Sequence, residues 1–277
     1  MKYADLHVHT LFSDGTFTPE EVVKCASEKG LSAIAICDHD SVDALAPAAP
    51  HAKKLNIEII PGVELTVMKE GKEIHLLGYY IQWREKWFND ILRRVQAERI
   101  VRIDRMIEKL KGFNVNIDRK TVTEISGGQG SLGRLHLARA LAETGAVSSV
   151  NEAFAKYIGD SKPCYVEDIG FGPKEAVDLI LRAKGVPVLA HPVTIGDDSL
   201  VHEFIKHGIR GIEVFHSDHS ASKSKKYKKI AEENGLLPLG GSDCHGLGKG
   251  RVLMGSVKLP YGVVEKLKKE AEKIKQR

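Results

Sequence analysis

One feature constrains this chain more than any other: its short apolar runs end, one after another, in histidine or carboxylate. The run at residues 3–6 leads into His7 and His9, with Asp14 in the loop that follows. "LSAIAIC" runs into "DHD" with Asp38, His39 and Asp40, "IEIIPGVEL" carries Glu64, and "KEIHLLGYYI" carries His75. Later, "VPVLA" runs into His191, "IRGIEVF" into His216 and His219, and "LLPLGGSD" into Asp243 and His245. Segments of helical period, at residues 19–29, 43–55, 173–183 and 220–234, separate most of these runs. Short buried strands alternating with amphipathic helices are the rhythm of a parallel sheet, closed into a barrel or doubly wound. In a parallel barrel, functional residues collect where the strands run out at their C-terminal ends.

One interval breaks the rhythm. From residue 83 to 159 nearly everything has helical period, including "FNDILRRVQAERIVRIDRMIEKL" and "RLHLARALAETG". The expected architecture is therefore α/β, a barrel built from residues 1–82 and 160–277 with an all-helical subdomain inserted at 83–159. A chain of 277 residues suffices for one large core plus such an insertion. No run approaches the roughly 18 apolar residues of a membrane span. The start also lacks the pattern of a secretory signal, so a cytoplasmic location is expected. Cys25, Cys37, Cys164 and Cys244 show no CxxC spacing and read as reduced thiols. The formal charge of +4 sits largely in "SKSKKYKKI" and the lysine-rich C-terminal segment, which read as solvated helix faces.

Strand geometry sharpens the reading. Residues i and i+2 share a face, so His7 pairs with His9 and Asp243 with His245, while Val8 and Cys244 turn into packing. Imidazole and carboxylate together suit Zn, Mn or Fe(II). So many polar groups crowded into a barrel mouth are costly without cations to pair them. Other residues have plainer readings. His51, His202 and His207 lie in helical segments and read as ordinary helix residues, and His136 falls between the two groups. Asp38 reads as a partner that orients His39, and Asp43 as a helix-start residue.

The segments "DLHVHTLFSDG", "CDHD", "PGVE", "EIHLLGY", "LAHP" and "GSDCH", in this order from the N-terminus to Gly246, resemble the PHP (polymerase and histidinol phosphatase) family of metal-dependent phosphoesterases. The likeness is to its small stand-alone branch with a helical insertion, which includes nucleoside 3',5'-bisphosphate phosphatases and 5'-to-3' exoribonucleases. The resemblance implies a distorted (β/α)7 barrel with an inserted all-helical subdomain and a cluster of two to three divalent metal ions, Mn, Fe or Zn. Carried over by residue, it implies His7, His9, Glu64 and Asp243 for the first metal, and Asp14, His39 and His245 for the second. It gives Glu64 as a bridge to a third metal completed by His75 and His191. "GRLHLARAL" resembles the family stretch whose arginine reaches the substrate phosphate, which implies a clamp at Arg134. His219 resembles a position near the substrate, and His216 is a further candidate. In two places the chain departs from the pattern. Cys37 stands where threonine is frequent, and "HPVTIG" stands where members acting on nucleotides often carry Gly-Arg-Tyr after His-Pro.

The expected activity is hydrolysis of a phosphomonoester of a small metabolite, most directly a nucleoside 3',5'-bisphosphate, by in-line attack of a hydroxide bridging two metals. The metals lower the pKa of the attacking water toward about 7. Arg134 adds positive charge to the phosphate oxygens. Three rival readings stand beside this one: a 5'-to-3' exonuclease on short RNA or DNA, a histidinol-phosphate phosphatase, and a non-catalytic metal-stabilised binding module. An exonuclease needs an open groove with basic and aromatic side chains tracking a chain. The insertion has "RRVQAER" and "RIDR" but no interleaved aromatics, which favours a small phosphorylated substrate. Neither a membrane nor an obligate protein partner is expected.

Overall fold

A computed structural model describes residues 1–128, 130–167 and 170–276. Eight strands form one sheet in the order β7-β6-β5-β4-β3-β2-β1-β8. They are β1 (Tyr3–Val8), β2 (Ala33–Ile36), β3 (Glu58–Lys69), β4 (Lys72–Tyr79), β5 (Val186–Leu189), β6 (Gly211–His216), β7 (Leu237–Gly241) and β8 (Leu259–Pro260). β1, β2 and β3 run parallel, as do β5, β6 and β7. The barrel nearly closes beyond β7. There the His9 amide donates to Cys244 O at 2.9 Å and the Cys244 amide to His7 O at 3.4 Å. At the opposite end of β1, the short β8 pairs with it antiparallel.

The sheet is mixed where the sequence suggests a parallel one, because β4 runs antiparallel to both β3 and β5. Glu70 and Gly71 form the whole link between β3 and β4, with φ of 52° and 74°. A two-residue link can join only antiparallel strands, and two positive φ values match the twist of a hairpin. β3 is also longer than its apolar core, pairing with β4 out to Lys69 opposite Lys72.

Helices α1 (Pro19–Glu28), α2 (Leu45–Leu55), α7 (Pro173–Arg182), α8 (Asp198–His207) and α9 (Ala221–Glu233) bury their apolar faces in one cluster with the strands. α1 starts where Thr18 Oγ1 accepts from the Glu21 amide and Glu21 reaches back to the Thr18 amide, a reciprocal cap. α10 (Gly262–Lys275) seals a second cluster through Val264, Leu267, Ala271 and Ile274.

Between β4 and α7 the described elements are helical: α3 (Lys86–Lys111), α4 (Arg119–Ile125), α5 (Arg134–Glu143), α6 (Val150–Ala153) and a π-helical turn at Phe154–Ile158. They share a third apolar cluster, which includes Met106, Leu110, Val122, Leu137, Leu141 and Ile158 and reaches Cys164. α3 belongs to two cores. Phe88, Leu92 and Val95 pack with the barrel cluster, while Ile103, Met106 and Leu110 pack with the helical one. Arg99 and Arg102 lie buried at the changeover. No helix among the described residues is long and apolar enough to cross a membrane.

Candidate active site

The strand-end residues converge on Glu64, which is fully buried on β3. Five imidazoles surround its carboxylate. Oε2 lies 3.1 Å from His7 Nε2, 3.1 Å from His9 Nε2 and 3.3 Å from His39 Nδ1. Oε1 lies 3.0 Å from both His75 Nδ1 and His191 Nε2. Asp243 Oδ1 stands 3.2 Å from His9 Nε2, and His245 Nε2 stands 3.1 Å from Asp14 Oδ1. His39 Nε2 is 3.8 Å from Asp14 Oδ2. Val8 and Cys244 pack into the apolar cluster, as strand parity requires.

The outward nitrogens of these rings are held by oxygen. His7 Nδ1 meets Glu213 Oε1 at 3.1 Å, and His9 Nδ1 meets Ser13 Oγ at 3.2 Å. His75 Nε2 meets Glu73 Oε1 at 3.3 Å, His191 Nδ1 meets Thr194 Oγ1 at 3.2 Å, and His245 Nδ1 meets Asp243 O at 2.9 Å. Ser13 Oγ donates to Asp38 and Thr194 Oγ1 to His191 O, so both hydroxyls accept from their histidine. Each outward nitrogen therefore carries the proton, and a bare lone pair faces the centre in the neutral tautomer. That is how metal-ligating histidines are oriented.

The residues present fit divalent cations. His7 Nε2 faces His9 Nε2 at 3.1 Å, a contact that one proton at most can bridge. Asp14 Oδ1 and His39 Nδ1 are buried without an aligned hydrogen bond, although His245 Nε2 and Glu64 Oε2 stand 3.1 Å and 3.3 Å from them. Nitrogen and carboxylate donors within 4.8 Å of one another group as His7, His9, Glu64 and Asp243; as His9, Asp14, His39 and His245; and as His39, Glu64 and His75. The electrostatics agree. Burial would raise the Glu64 pKa, yet His39, His7 and His75 hold it well below the usual carboxylate range. Burial disfavours charged His7, but Glu213, Glu64 and Asp243 outweigh this and push its pKa well up. At His39 burial prevails and pushes the pKa well down.

Above the cluster lies a cavity of about 690 Å³, within the range of small-molecule sites. Glu64, His75, His191 and His245 line its floor, while Arg134, Leu135, Val150 and Phe154 close it from the helical side. Arg134 is the first residue of α5, set by the Gly133 amide donating to His136 Nδ1 at 3.1 Å.

Comparison with known proteins fits this geometry. The PHP domain pattern matches residues 5–128. A 3',5'-nucleoside bisphosphate phosphatase of Chromobacterium violaceum is 31% identical over 255 residues, covering 90% of each chain. The chain belongs to the PHP family. A 5'-3' exoribonuclease, Rnm, of Escherichia coli is 32% identical over 248 residues, covering 87% of this chain and 84% of its own. A solved structure from Bifidobacterium adolescentis, described as a metal-dependent phosphoesterase, superposes with a TM-score of 0.87 at 29% identity, covering 95% of this chain and 94% of its own. This PHP protein is thus a metal-dependent phosphoesterase, a hydrolase of phosphoric esters.

Within this PHP site, His216 and His219 separate. His216 lines the cavity, and its Nε2 lies 3.5 Å from Asp243 Oδ2. His219 sits behind it with ring centroids 5.4 Å apart, its Nδ1 donating to Val214 O at 2.8 Å, and it is absent from the cavity lining. Asp38 serves a different partner from the expected His39. Its oxygens accept from the Thr10 amide, Thr10 Oγ1 and Ser13 Oγ at 2.6–2.7 Å, which shapes the loop after β1. In "HPVTIG", Thr194 Oγ1 meets His191 Nδ1 at 3.2 Å and so steadies a ring of the cluster. Among the described residues, Glu213, Glu73, Lys249 and Arg102 join the site without having been singled out from the sequence, as do Ser13 and Thr194. Lys249 Nζ bonds Asp243 Oδ2 at 2.7 Å. Glu213 also accepts from the His191 amide at 2.8 Å. A carboxylate inside the apolar "GIEVF" was the available signal for Glu213.

Proposed function

We propose that this chain removes phosphate from a small phosphomonoester, most directly a nucleoside 3',5'-bisphosphate, using two to three divalent ions drawn from Mn, Fe or Zn. The carrying observation is the set of five histidines whose outward nitrogens are capped by oxygen while their inward nitrogens face Glu64 or Asp14. In this reading His7, His9, Glu64 and Asp243 hold the first ion, and Asp14, His39 and His245 the second. Glu64 is shared with a third, completed by His75 and His191. When bound, the ions lower the pKa of an attacking water toward about 7 and neutralise phosphate oxygens.

The chain's own residues supply the rest. Arg134 receives phosphate oxygens with its planar fork at the start of α5, where backbone amides also favour an anion. His216 gives the leaving oxygen a proton in this reading, which its position in the cavity lining supports and the position of His219 behind it does not. The helical segment at residues 83–159, read as a subdomain set into a barrel of 1–82 and 160–277, shields the cavity from water. Cavity size supports a metabolite over a polymer, because about 690 Å³ matches a single small ligand. The bisphosphate phosphatase and exoribonuclease relatives define the choice of substrates to test. Mn²⁺-reconstituted protein is offered adenosine 3',5'-bisphosphate, histidinol phosphate and a short 5'-phosphorylated RNA. The nucleotide should turn over fastest by kcat/KM, whereas faster shortening of the RNA overturns this substrate choice.

A further inference from the structure

Glu73 sits on β4 two residues before His75, with its side chain only 9% exposed. Its two oxygens face different partners. Oε1 meets His75 Nε2 at 3.3 Å, on the side of the ring away from Glu64. Oε2 accepts from Arg102 Nη2 at 3.0 Å and lies 3.1 Å from Arg134 Nη2. Arg134 also donates through Nη1 to Oδ1 of Asp160, another residue of the cavity lining, at 2.6 Å.

We infer that Glu73 is a positioning residue that couples the two halves of the site, fixing the His75 ring through one oxygen and the Arg134 fork through the other. The inference rests on the metal and phosphate roles proposed for His75 and Arg134. The physical argument is geometric. A carboxylate behind a ligating imidazole fixes its tautomer and raises its basicity. A carboxylate beside a guanidinium fixes the plane of the fork, and a bidentate phosphate contact depends on that plane. One rigid group performing both tasks ties the position of the ion at His75 to the position of the phosphate at Arg134. β4 is well suited to carry it, because residues 73 and 75 share a face of the strand.

The test uses the full chain, stripped of metal and titrated with Mn²⁺ by calorimetry, then assayed on adenosine 3',5'-bisphosphate. Glu73→Gln should weaken one class of Mn²⁺ site by about 10- to 100-fold while leaving the tightest class unchanged. It should also raise KM, and in an Arg134→Ala background it should raise KM no further, because two residues acting as a unit do not add. Wild-type affinity at every site together with a wild-type KM overturns the inference, as do KM effects of Glu73→Gln and Arg134→Ala that multiply independently. If Glu73→Gln does not fold, both readings are taken on Glu73→Asp, whose carboxylate is withdrawn by one methylene, and unchanged values there overturn it equally. A wild-type chain that takes up no Mn²⁺ defeats the metal assignment and this inference together. Normal wild-type uptake with an indifferent Glu73→Gln defeats the inference alone.

Discussion

At the floor of the cavity one carboxylate, Glu64, is shared by five imidazoles, and the protons on those rings respond to it. Burial works against charged His9, but Asp243 and Glu64 prevail and push its pKa up to about 9. His75 is likewise raised to about 10, burial again being outweighed, here by Glu64 and Glu73. In the metal-free protein both rings therefore lean toward the protonated form, with room for one proton only between His7 and His9. An imidazole must lose that proton to ligate, so metal uptake at pH 7 releases protons and affinity rises toward pH 9. Calorimetric Mn²⁺ titrations in buffers of different ionisation enthalpy should give different apparent heats. Heats independent of the buffer would contradict the assignment of these rings. The rings themselves were legible in the sequence, because a histidine following an apolar run stands out. Glu73 and Glu213 were not, because a carboxylate inside a strand reads as solvent-facing until its neighbours in the sheet are known. Arg99 and Arg102 were hidden for a similar reason, since arginine in a long polar helix reads as surface.

Among the elements, β7 and β1 meet more closely than ordinary side chains permit. A Cβ built on Gly241 would lie 2.3 Å from His7 Cβ and 2.4 Å from His7 N. The glycine lets the last long strand press against the backbone that carries His7, a ligand in the proposed site. Gly241→Ala should cost about 1–3 kcal/mol or more in denaturant unfolding and weaken Mn²⁺ binding through a displaced His7. Unfolding at the wild-type denaturant midpoint would show that the strands can part at no cost. The alternation of strands and helices was legible from apolar periodicity, and so was the helical interval after β4. The direction of β4 was not, because Glu70-Gly71 is a weaker turn signal than Asn-Gly and sits between residues that also suit a strand. β8 has two residues, too few to leave a pattern.

For the molecule as a whole, cations that bind only the folded chain add their binding free energy to its stability. Saturation at about 100 times Kd contributes roughly 2.7 kcal/mol for each ion, which for a chain of this size is a melting shift of roughly 5–10 °C per ion. Thermal melts with Mn²⁺ and with EDTA should differ by that order, and coincident melts would mean that the cluster holds no ion in the folded state. The closure of the barrel bears on how such a site is completed. The hydrogen bonds that join His7 and His9 to Cys244 tie together two segments that lie far apart in sequence. A ribosome delivers His7 and His9 long before Asp243 and His245. In the proposed site the two histidines must therefore wait through the synthesis of everything between for the carboxylate and imidazole that complete it, so metal capture would report that the barrel has closed.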